Sequence, residues 1–127
     1  MRVIALLFLA GCSRDAFEES DRAYGVGVDL GPLEDVQGWP LLVAACAERL
    51  DVLMGPGEGG RLVDGAHVAV QAKPRCLRGQ PSCYWPDSDL VIVGPDASGL
   101  CHEMKHRARA KAGMDLDYGH VSPGWWD

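Results

Sequence analysis

The longest amphipathic stretch of the chain, Trp39 to Met54, limits the fold more than any other feature. Leu42, Cys46, Leu50 and Leu53 recur at spacings of four, four and three, the stripe of a helix that lays one face on a core. Pro40 suits the first turn of that helix and Gly55 its stop. The apolar segments that follow are short. Leu62 and Val63, the turn signal Asp64-Gly65, and then Val68 and Val70 in alternation read as a hairpin, with His67 facing away from Val68 as an exposed strand histidine. Leu90 to Val93 is a continuous apolar run that suits a buried strand, ended by Gly94 and Pro95. Asp96 or Ser98 then caps a helix from about Ala97 to Ala112, with Gly113 beyond its end. Helix, hairpin, strand and helix predict one small α+β domain over residues 37–127, with a core helix, a short and mostly antiparallel sheet, and a C-terminal helix. The segment GPGEGG, with Gly55, Gly57 and Gly60, fits the dinucleotide-binding glycine spacing by letter. It follows a helix and precedes a strand-like stretch, the reverse of the required context, so it reads as a loop.

The first residues, MRVIALLFLAGC, set the compartment. One basic residue, Arg2, precedes an apolar run from Val3 to Ala10, which is shorter than the roughly 20 residues a bilayer span needs and reads as a signal peptide. Leu9-Ala10-Gly11-Cys12 resembles the lipobox of bacterial lipoproteins. That resemblance implies cleavage after residue 11, lipidation of Cys12, and a protein held on a membrane of the cell envelope, with Ser13 compatible with the outer membrane. Residues 12–36, rich in Asp, Glu and Gly without sustained periodicity, then form a tether, with room for a short strand at Tyr24 to Leu30. A formal net charge of −6 and the lack of a long basic tract argue against a nucleic-acid partner.

With Cys12 set aside, Cys46, Cys76, Cys83 and Cys101 form an even set in an oxidising compartment, which points to two disulfides. Cys76 and Cys83 bracket the turn-forming LRGQPS, so the simplest pairing closes that loop and leaves Cys46 with Cys101. A cysteine zinc site needs close C-x-x-C pairs, which the chain lacks.

Chemistry concentrates in HEMKHRARAKAGMDLDYGH, residues 102–120. His102-Glu103-Met104-Lys105-His106 is H-E-x-x-H inside a predicted helix, the context that this motif requires. At 3.6 residues per turn the two imidazoles share a face and reach one ion at about 2.0 to 2.1 Å, while Glu103 projects about 100° away, near enough to take a proton from a metal-held water. A catalytic zinc needs a third protein ligand. The helix carries the chain roughly 10 Å beyond His106, and the steps from Gly113 to His120 cover up to about 23 Å, so His120 can return to the ion. Asp115 and Asp117, in the same return segment, are rival ligands or orient an imidazole. Tyr118 stands where it could donate to a developing oxyanion. The bland alternative is a solvated helix, because Arg107, Arg109 and Lys111 are what a surface helix carries.

The apolar strand, the HEMKH helix and a downstream ligand segment, residues 90–120, resemble a zincin metallopeptidase. The resemblance implies Zn2+ on His102 and His106 with Glu103 as general base. It stops short of a family: Arg109 stands where metzincins carry glycine and Ala112 where they carry the third histidine, and no glutamate follows Glu103 to serve as a ligand. The expectation is a minimal zinc-dependent hydrolase of the envelope acting on peptides or proteins. Its substrate would lie in a shallow groove walled by the Val91 strand edge and the VSPGWW tail, with Trp125 and Trp126 packed over the helix. The alternatives are a non-enzymatic envelope lipoprotein that binds a metal or a partner protein, and a lipoprotein whose histidines are idle.

Overall fold

A computed structural model describes residues 25–29 and 38–126. The apolar leader, the lipidation candidate Cys12 and most of the tether lie outside the described residues. Four strands and three helices make one α+β unit: β1 (Gly27–Asp29), α1 (Trp39–Met54), α2 (Glu58–Val63), β2 (His67–Val70), β3 (Cys83–Trp85), β4 (Leu90–Val93) and α3 (Leu100–Lys111). The sheet order is β1-β2-β4-β3.

The sheet corrects the expectation of a mostly antiparallel one. β1 pairs parallel to β2, β2 pairs parallel to β4, and only β3 runs antiparallel, against β4. The reason lies in the connection: α1 and α2 stand between β1 and β2, and a helical crossover returns the chain in its starting direction. For the same reason the Leu62–Val70 hairpin does not form. Leu62 and Val63 close α2 and are both buried, and two apolar residues in succession carry too little periodicity to separate helix from strand. The strand anticipated within 24–30 does form, as β1, and Val26 and Val28, each 1% exposed, join the core.

Register lines up one row of core residues across the sheet, Val28 with Val68, Val68 with Val91, and Val91 with Tyr84. Val70 and Val93 extend this face, onto which Leu50, Leu62, Leu100, Met104 and Ala108 pack from the helices. Each such aliphatic side chain contributes about 1.5 to 3 kcal/mol when fully buried. On α1 the buried stripe is Trp39, Val43, Cys46, Ala47 and Leu50, rotated from the expected one: Leu42 is 39% exposed. α2 lies against α1 so closely that a Cβ on Gly59 would stand 1.7 Å from the Ala47 carbonyl oxygen, which only glycine avoids.

The third helix departs furthest from a solvated one. Glu103 to Arg109 are all buried, Arg107 at 1% exposure. Its cations end on carbonyls: Arg107 donates to Leu62 O and Asp64 O as well as to both Asp89 carboxylate oxygens, Arg109 Nε donates to Asp115 O, and Lys105 Nζ donates to Trp125 O. A buried charge is tolerable only with such partners. Trp125, 7% exposed, packs on the same helix with the Arg109 guanidinium 4.7 Å from its ring, so the tail covers α3 as expected.

Candidate metal centre

α3 places His102 and His106 one turn apart, His102 exposed and His106 buried, and the chain doubles back after Gly113 to bring His120 to them. The three ring centroids lie 4.8 to 5.1 Å apart, and the ligating atoms all fall within 4.8 Å of one another. His106 Nε2 and His120 Nε2 are 3.2 Å apart. Tetrahedral ligands about 2.05 Å from one zinc ion stand about 3.3 Å from each other, so this pair already has the required spacing.

The tautomer of His106 is fixed by its surroundings. Its Nδ1 is 2.7 Å from Leu116 O; a carbonyl only accepts, so Nδ1 carries the proton and Nε2 presents its lone pair to His120. Metal-ligating imidazoles are commonly held this way through their second nitrogen. Desolvation, followed by the neighbouring His106 and His120, pulls the His102 pKa down to about 4, and burial lowers that of His106 as well. Both rings are therefore neutral donors near pH 7. The donor set fits a borderline-soft divalent ion, and three imidazoles leave one tetrahedral position for another group.

Neither aspartate joins the cluster. Asp117 is buried and its carboxylate accepts from Val121 N, Ser122 N and Trp126 Nε1, so it ties down the return segment. The Trp126 bond, with the two backbone donors, holds its pKa far below the usual carboxylate range. Asp115 is exposed and accepts from Asp117 N. Trp126 packs against all three imidazoles, with centroids at 4.5 to 5.0 Å.

His102, Glu103, His106, Tyr118 and His120 line one side of a groove of about 630 Å3; the opposite wall is β3 with the residues leading into it, including Ser82, Tyr84 and Trp85. The wall is thus the β3 edge and not β4, which lies inside the sheet with Val91 fully buried. Glu103 is 6% exposed and accepts a hydrogen bond from Ser82 Oγ at 2.7 Å; burial raises its pKa against the opposing effect of that bond. Tyr118 is 58% exposed at the groove, its ring 5.1 Å from His106.

Of the expected cysteine pairs, Cys76–Cys83 is formed and closes the loop before β3. Cys46 and Cys101 are both free thiols, so their disulfide is not made in this structure. Ser82 and the Leu116 carbonyl are the site residues that sequence reasoning missed, whereas Trp126 was expected over the helix and is found there, against the three imidazoles. Only Ser82 had a local flag, its place beside a disulfide cysteine. Comparison with protein-family profiles, curated proteins and solved structures finds no match for this chain.

Proposed function

We propose that the chain is a zinc-dependent hydrolase of the cell envelope, held at a membrane through a lipidated Cys12 and cleaving peptide bonds in the groove between α3 and β3. The observation that carries this reading is the convergence of three imidazoles beside a buried carboxylate that lines the same groove. A bound zinc ion would polarise a scissile carbonyl and render a water nucleophilic near neutral pH. The chain supplies the rest. His102, His106 and His120 hold the ion, with His106 preset by Leu116 O. Glu103, whose raised pKa suits a group that takes and returns a proton, removes a proton from the water and passes it to the leaving amine. Tyr118 donates to the oxyanion from the rim. Tyr84, Trp85 and Pro86 give the far wall apolar surface for a substrate side chain.

The test is hydrolysis of a quenched-fluorescent peptide library by zinc-loaded protein. The parent should cleave a subset of the library, and Glu103→Gln should keep one zinc per chain while losing at least about a hundredfold in turnover. A parent that binds zinc and cleaves nothing would replace this reading with a non-enzymatic envelope protein that binds a metal or a partner. A parent that binds no zinc would leave the histidines idle.

A further inference from the structure

Glu103 is a buried carboxylate with one fixed oxygen. Among the described residues, Ser82 provides the only hydrogen bond to its side chain, and no cation pairs with it. A Glu side chain has three rotatable bonds, so a single contact decides where the second oxygen points in the groove.

Three features hold Ser82 against it. The neighbouring Cys83 is bonded to Cys76, which closes the loop that carries Ser82. Cys83 also opens β3 and sits opposite Ile92 of β4, so the backbone leaving Ser82 is fixed by the sheet. Gly99, just before α3, supplies the space: a Cβ there would come within 2.1 Å of Ser82 Oγ and 2.5 Å of Ser82 Cβ. Gly99 has φ −94°, open to any residue, so its use here answers to close approach and not to backbone conformation. The Gly99 carbonyl also accepts from Glu103 N at 3.0 Å. Gly99 therefore touches both partners, one through its carbonyl and one through its missing side chain.

We infer that Ser82 is the positioning residue of Glu103, fixing from the disulfide loop its carboxylate in the groove that His102, His106 and His120 also line. The inference rests on the hydrolase reading for its effect on turnover, but the contact itself does not. Ser82 acts through Glu103 and holds neither metal nor substrate. Aligning a base through a third group is the arrangement that activated sites generally need. Because the residue lies on a separate element from the histidines, it governs the base without touching the ligand set.

The experiment compares full-length parent and Ser82→Ala, both zinc-loaded. On the best-cleaved library peptide, Ser82→Ala should lower kcat about ten- to hundredfold, with KM and zinc affinity within about twofold of the parent. Gly99→Ala, which keeps the hydroxyl but pushes it aside, should lower kcat in the same sense. Unchanged kcat in Ser82→Ala, or a loss shared by KM and zinc affinity, overturns the proposal. A crystal structure of zinc-loaded Ser82→Ala decides the contact independently of activity. A turned or disordered Glu103 side chain supports the inference, and one that keeps its place overturns it. Failure of the hydrolase reading shows up separately, as a parent that holds zinc without cleaving any peptide.

Discussion

Single side chains in this protein are settled by where their hydrogen bonds end. Arg107 is the clearest case, since its guanidinium reaches two carbonyls and the Asp89 carboxylate from a fully buried position. Arg107→Ala would strand those carbonyls and should cost about 2 to 3 kcal/mol of unfolding free energy, read from urea denaturation midpoints. Asp89 shows the same pairing from its partner's side. Burial pushes its pKa up, but the bonds from Arg107 and Tyr84 outweigh it and leave the carboxyl below its ordinary value. The stabilisation from this pair is therefore complete above the unfolded carboxylate range and is lost as pH falls through the lower, folded value. Arg107→Ala should remove that part of the acid sensitivity, measured as a smaller drop in stability between pH 5 and pH 3. His102, Glu103 and His106 were legible in the sequence because a motif on a helix fixes mutual placement within one turn. The burial of Lys105, Arg107 and Arg109 was not, because the carbonyls that accept from them lie at Leu62, Asp64, Asp115 and Trp125, far away or beyond a chain reversal.

At the scale of elements, helix packing decides what periodicity leaves open. The α1 stripe was legible as a helix, but its buried face centres on Val43 and Ala47 because α2 approaches there through Gly59. Gly59→Ala would drive a methyl into the Ala47 carbonyl and should cost about 1 to 3 kcal/mol or more, read as a lowered Tm. Leu42→Ala, on the exposed side, should change Tm little, whereas Val43→Ala should lower it clearly; equal effects would contradict the assigned face. The return segment is a second such element. Asp117 gathers Val121, Ser122 and Trp126, so Asp117→Ala should loosen Trp126 and with it His120, lowering metal affinity about ten- to hundredfold without removing a ligand. A competition titration with a chromophoric zinc chelator would measure this. An unchanged affinity would show that the imidazoles hold their places unaided.

Across the whole molecule, the sheet and the helix layer set the histidines at a groove whose two walls are tied by different means. The near wall is α3, secured by buried apolar contacts and carbonyl-bound cations, and the far wall is β3, secured by the sheet and by Cys76–Cys83. The α+β class was legible in the order of periodic segments, while strand direction was not, because direction depends on the crossovers that helices make and not on any residue within a strand. His120 was reachable on chain-length grounds alone, whereas the anchoring of its segment by Asp117 needed coordinates. The most direct measurement is anomalous diffraction at the zinc edge from crystals grown with equimolar zinc. One peak about 2.0 to 2.1 Å from a nitrogen of each of His102, His106 and His120 is the predicted result. A peak on Asp115 or Asp117, or no peak among the three imidazoles, would contradict it.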